Sequence, residues 1–167
     1  MRLEPNGNVK RLAYADAAYR RLIKSEKSET FLLSKETAIT PPDLYVGDAQ
    51  LNNLRKLTDL QEQEKNYTMG SGSILVDYIG TDGKKLQGAL FLPANYQAGK
   101  SYPTVVYIYE KLSQGLNSFT PPMVGGGGFN RSYYTSHGYA VFNPDITYRL
   151  NDPGVSAKES VLPALQA

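Results

Sequence analysis

The sequence predicts a mixed fold, a short antiparallel β segment followed by an incomplete α/β sheet. Three observations carry that expectation. From Val9 to about Leu60 the chain offers short β-compatible runs separated by polar or proline-containing connectors, the pattern of antiparallel hairpins. Residues 61–72, QEQEKNYTMGSG, are polar and close on a Gly-Ser cluster, so a domain boundary is expected near Gly70. Beyond it, apolar runs alternate with a short helix-compatible stretch, the order of a parallel crossover.

The β-compatible runs are Tyr19 to Lys24, Thr30 to Leu33, Asp43 to Val46 and Asn53 to Leu57, and ADAAYRR before them has the composition of a helical turn. Pro41 and Pro42 cannot donate to a ladder, which reads as a loop leading into the strand at Leu44. Four short strands make one propeller blade, and a single blade has no two-sided core of its own. After the boundary, SILVDYIGTDGKKLQGALFLP is two strands about an Asp82-Gly83 turn, a strong hairpin signal. Thr104 to Tyr109 follows as a strand whose continuous apolar content predicts cover on both faces, with Tyr107 in its core. RSYYTSHG then suits a short helix with Asn130 as N-cap and Gly138 as C′, leading to a strand over Ala140 to Asn143. Ser156 and Glu159 have capping-box spacing ahead of VLPALQA, and Pro163 predicts a kink or break near Leu162.

Composition excludes several classes. The 167 residues carry 18 Lys and Arg against 16 Asp and Glu, a net charge of +2, and the basic residues are scattered, so nucleic acid is not an expected partner. The longest apolar run is far below the roughly 20 residues of a membrane span, and MRLEPNGNVKR has no signal-peptide core. With no cysteine and one histidine there is no disulfide and no metal-ligand spacing; no cofactor is expected. Thirteen tyrosines and no tryptophan lean the chain toward strands and half-exposed aromatic positions.

PPDLYVGD followed by LRKLTDL, and then DGKKLQGALFLPANYQAGKSYPTVVYIY, resemble in order and spacing the junction region of the prolyl oligopeptidase family of serine peptidases, nearest its dipeptidyl peptidase IV and acylaminoacyl-peptidase-like branches. The resemblance implies that residues 1–69 are the last blade of a β-propeller. It implies that residues 70–167 are the first part of an α/β-hydrolase domain, cut before its nucleophile. The expected intramolecular partners are then the rest of the propeller and of the hydrolase domain. The parent enzyme would cleave short peptides through a Ser-His-Asp triad, in a periplasmic or secreted setting. The fragment itself is expected to be inactive. The other readings are a non-catalytic β-rich interaction module on a hydrolase-like scaffold and an esterase of the same fold.

A nucleophile elbow of the form Gly-x-Ser-x-Gly is absent from the sequence. Ser73, in GSGSILV, comes nearest, but it opens a strand. Tyr109 is the one residue the resemblance marks as catalytic, by matching the family's tyrosine at the end of the third hydrolase strand, where a hydroxyl supports the tetrahedral oxyanion. Here Glu110-Lys111-Leu112 follows it, where many relatives have a glycine-rich turn. His137 invites a role as general base, but it precedes Gly138 at a helix end and the family's histidine lies far downstream. Asp145 ends a strand where α/β enzymes gather their site residues; a substrate-facing or loop-ordering role competes with a carboxylate that fixes the turn into ITYRLNDPG. Arg149 suits a substrate carboxylate or, more commonly, an intramolecular ion pair. The run Gly125 to Gly128 lacks the flanks of a phosphate loop and is read as a flexible loop segment near the active-site side.

Overall fold

The computed structural model of the protein describes residues 2–123 and 128–167; Gly125 to Gly127 of the glycine run lie outside the described residues. Internal contacts divide the chain into one unit of Met1–Asn66 with Asn117–Phe119, and a second of Tyr67–Leu116 with Thr120–Ala167.

In the first unit, β1 (Arg2–Leu3) pairs antiparallel with β2 (Val9–Lys10), and β3 (Ala18–Lys24), β4 (Phe31–Thr37), β5 (Thr40–Gly47) and β6 (Arg55–Lys56) form a four-stranded antiparallel sheet in chain order. The stretch expected as a helical turn is instead bends over 15–17 running into β3. Pro41 and Pro42 do not form a lead-in loop but lie within β5. Lys35 pairs with Asp43 and Thr37 with Thr40, so the two prolines face Glu36 alone. At such a bulge the ladder is already interrupted, and their missing N–H groups cost no hydrogen bond.

Asp43 is the polar anchor of this sheet, only 1% exposed. Its Oδ1 accepts from Thr58 Oγ1 at 2.7 Å and from the Leu60 amide at 2.9 Å, and its Oδ2 lies 2.7 Å from the Lys56 ammonium. Burial alone would raise its pKa, but hydrogen bonds from Lys56, Leu60 and Thr58 outweigh that and hold the carboxyl below its ordinary range. These bonds fasten β6, only two residues long, and the 3₁₀ turn Leu60–Glu64 to β5. On the same sheet, Arg20 Nε donates to the buried Glu36 at 2.7 Å, and its Nη2 donates to Ser118 Oγ at 2.7 Å.

The second unit is a mixed sheet of β7 (Ser73–Ile79), β8 (Lys85–Phe91), β9 (Thr104–Val106) and β10 (Ala140–Pro144), in the order β7-β8-β10-β9. β8 runs antiparallel to both neighbours, while β9 and β10 are parallel and are joined through α1 (Arg131–Ser136). The hairpin closes as expected: Gly80 and Lys84 bond across the turn at 2.9 Å, and Gly83 takes φ 78°, a conformation that glycine adopts without strain. Asn130 caps α1, its Oδ1 accepting from the Tyr133 amide at 2.9 Å, and Gly138 ends it with φ 86°.

Several expectations fail here. The strand predicted over Thr104 to Tyr109 is regular only to Val106, and Tyr107, Ile108 and Tyr109 are 38%, 49% and 69% exposed. Thr104 is exposed and Val105 and Val106 are only half-buried, so the strand is not covered on both faces, and among the described residues it has β10 alone beside it. Tyr107 is accordingly outside the core and stacks on Phe129 with centroids 4.4 Å apart. α2 (Pro153–Ala164) starts earlier than the spacing of Ser156 and Glu159 implies. Proline at the first helical position suits the missing N–H, and Ser156 bonds back to the Asp152 carbonyl and accepts from the Arg149 amide.

The helix also continues past Leu162. Pro163 leaves the Glu159 carbonyl without its usual donor, and that carbonyl accepts from the Thr81 amide at 3.1 Å and Thr81 Oγ1 at 3.3 Å. The proline thereby frees an acceptor that docks the β7–β8 turn on α2.

The core between sheet and α2 gathers Tyr78, Leu86, Phe142 and Ala164, with Val76 and Leu90 packed against it. Gly88 makes room for Phe142: a Cβ there would lie 2.5 Å from Cε2 and 2.7 Å from Cζ of the buried ring. Gly88→Ala is expected to lower the unfolding free energy of this unit by about 2 kcal/mol, as overpacking does; thermal unfolding of the variant beside the parent measures it.

Candidate functional site

In sheets with parallel strands, site residues collect beyond the carboxyl ends of those strands. Here those ends belong to β9 and β10, and they are followed by two backbone segments, 107–116 and 145–149. The two are laced together. The Tyr148 hydroxyl donates to the Tyr109 carbonyl at 2.5 Å, the Ile146 amide to the Glu110 carbonyl at 2.9 Å, and Ser113 donates to Asp145 twice, from its amide at 2.8 Å and its hydroxyl at 2.6 Å. The Asp145 carboxylate thus caps the 3₁₀ turn Ser113–Gly115.

The 145–149 segment has firm backing. The Asp145 amide donates to the Gln87 carbonyl at 2.8 Å, its carbonyl accepts from the buried Tyr78 hydroxyl at 2.6 Å, and Ile146 is 1% exposed. Burial pushes the Tyr78 phenol up to about 12, with the Asp145 charge adding to the shift, so Tyr78 stays a donor across the neutral range. Ser73 Oγ donates to the Leu116 carbonyl at 2.8 Å and closes the far end of the loop.

Tyr109 is held by its backbone and free at its side chain. Its ring is 69% exposed, and its hydroxyl has no hydrogen-bond partner among the described residues. Such a phenol is an uncommitted donor at a strand end.

The other sequence candidates are committed elsewhere. Asp145 lines an open cleft of about 960 Å³ together with Lys85, Gln87 and Lys111, but its carboxylate is engaged by Ser113 and orders the 107–116 loop, 32 residues away. Arg149 pairs with Asp152 at 2.9 Å and with Glu159, the intramolecular alternative. His137 Nδ1 lies 2.7 Å from the Tyr133 carbonyl, so that nitrogen carries a proton and is no base toward Ser136, whose hydroxyl donates to the same carbonyl. Ser73 sits on a strand and not on a strand-to-helix turn. The described residues hold no cluster of His, Asp and Glu able to bind a metal ion, and none of their helices is long and apolar enough to cross a membrane.

Sequence reasoning missed Ser113, Tyr148 and Tyr78. Their partners lie 32, 39 and 67 residues away; the tyrosine surplus was the one available signal.

No family model matches the chain, and no curated protein matches it in sequence. Solved structures do. An acylaminoacyl peptidase of Pyrococcus horikoshii superposes on 96% of the chain at 18% identity with a TM-score of 0.63, the match covering 25% of that protein. A putative dipeptidyl aminopeptidase IV from Bacteroides ovatus matches 91% of the chain at 17% identity and 0.61, over 23% of its own length. Dipeptidyl peptidase 4 of Porphyromonas gingivalis matches 86% at 18% identity and 0.59, over 20% of its length. The chain therefore spans about a fifth to a quarter of these peptidases, and its fold is that of a segment of theirs.

Proposed function

We propose that the chain is the junction segment of a serine peptidase that hydrolyses peptide bonds in short peptides. In this reading residues 1–69 are the last blade of a propeller, residues 70–167 open an α/β-hydrolase domain, and the Ser-His-Asp triad is contributed by sequence outside this segment. The observation that carries the reading is the fold likeness to acylaminoacyl and dipeptidyl peptidases across 86–96% of the chain, together with a Tyr109 phenol beyond the end of β9 that has no hydrogen-bond partner among the described residues. That phenol serves as a donor to the oxyanion of the tetrahedral intermediate, where pre-aimed hydrogen bonds are strengthened by exclusion of water. Acyl transfer needs a nucleophile and a base in addition, which this reading assigns to the triad outside the segment, so on this reading the segment alone has no activity.

The test uses the complete protein in which this segment occurs. Its sequence should contain a Gly-x-Ser-x-Gly turn followed by an aspartate and then a histidine, and the purified protein should turn over aminoacyl-arylamides faster than acyl esters. Turnover of esters alone would favour an esterase on the same fold. Absence of the serine turn, with no reaction toward a fluorophosphonate probe, would leave a non-catalytic module and overturn the proposal.

A further inference from the structure

We infer that Tyr148, assisted by Asp145, is a positioning residue that sets the aim of the Tyr109 phenol; the inference rests on the oxyanion role proposed for Tyr109. The Tyr109 hydroxyl has no hydrogen-bond partner among the described residues and its ring is 69% exposed, so the backbone that bears the side chain sets where the phenol can reach. That backbone has left the ladder: regular pairing of β9 ends at Val106, with one further bond from the Tyr107 amide to the Phe142 carbonyl at 3.0 Å. From there to Ser113 the chain is fixed by the 145–148 segment at residues 109, 110 and 113.

Of these tethers, the bond from Tyr148 acts on the carbonyl of Tyr109 itself. It fixes the peptide plane that follows the Tyr109 Cα. Tyr148 can do so because its own segment is secured on both sides. Asp145 is bonded to β7 and β8 through Tyr78 and Gln87, and the Arg149 amide donates to Ser156 Oγ of α2 at 3.0 Å. A loop held at one end only would let the phenol swing, and a displacement of about 1 Å at a reacting group costs up to 100-fold in rate. Tyr148 itself is 42% exposed, so loss of its hydroxyl removes the tether and little packing.

The experiment is a double-mutant cycle in the complete protein, read on an aminoacyl-arylamide. Tyr148→Phe is expected to lower kcat about tenfold with KM within about twofold, because the lost aim is felt in the transition state. In the Tyr109→Phe background the same change should cost less than about twofold, since the group it aims is gone. An equal loss in both backgrounds would overturn the inference and assign Tyr148 a general structural role. A complete protein without amidase turnover would instead refute the proposed function. The tether is then decided by amide hydrogen exchange. Tyr148→Phe should speed exchange at Ser113 and Ile146 about tenfold while the β7–β8 amides keep their protection; unchanged exchange at Ser113 and Ile146 would overturn it.

Discussion

Tyr109→Phe in the complete protein is expected to lower kcat for aminoacyl-arylamide hydrolysis about 100-fold with KM nearly unchanged, the scale seen when one oxyanion donor is removed. Beyond the end of β9 the chain leaves the sheet, and the Tyr109 ring stands 69% exposed, its hydroxyl without a hydrogen-bond partner among the described residues. On the proposed oxyanion role, a donor that is idle in the resting protein would gain a partner when negative charge develops on the carbonyl oxygen of a substrate. Such a bond strengthens in the transition state and hardly exists in the ground state, so its loss appears in kcat. Phenylalanine keeps the ring, and the Tyr148 bond is made to the backbone carbonyl of residue 109, so loop and fold persist. Steady-state kinetics beside a thermal melt checks this: a rise in KM with kcat preserved, or full activity, would remove Tyr109 from the chemistry.

What was legible in the sequence was local. The Asp82-Gly83 turn, the Asn130 cap and the Gly138 terminus are each decided within a few residues by backbone conformations that those residue types favour, and each is present. Pro41 and Pro42 misled because their tolerance depends on a partner strand: one unpaired Glu36 across the ladder makes a bulge that no local rule announces. Pro163 does not break the helix, which runs on to Ala164, and the carbonyl it orphans is satisfied by Thr81, 78 residues away. The hydrophobic run around Tyr107 predicted burial because composition records a wish for cover without naming the covering element. For the candidate site, family likeness drew attention to Tyr109 and strand position to Asp145. Their surroundings, Tyr148 on one and Ser113 on the other, are long-range hydrogen bonds between polar residues that carry no periodicity.

Asp43→Ala should destabilise the first unit by about 3 kcal/mol, the scale of stripping one partner from a buried, hydrogen-bonded charge pair. The carboxylate is 1% exposed and serves three donors, Thr58, the Leu60 amide and Lys56. Alanine leaves the Leu60 amide and the Lys56 ammonium without it and frees a strand only two residues long. Asp43→Asn, which keeps one acceptor but turns an amide toward Lys56, should cost about 2 kcal/mol. The pH dependence follows in sign from the lowered pKa. A carboxyl with a folded value below its unfolded value near 3.8 contributes its full stabilisation above that unfolded value and loses it as pH falls through the folded one. Stability of the first unit should therefore show no Asp43 contribution to its slope between pH 7 and about pH 5, then decline below pH 3.8. In Asp43→Asn that acid-induced component should vanish. Denaturant melts at a series of pH values, followed by a probe in the first unit, measure both effects. An acid limb of equal steepness in parent and Asn variant would show that other carboxylates govern the decline and that the Asp43 cluster does not hold β6 in place.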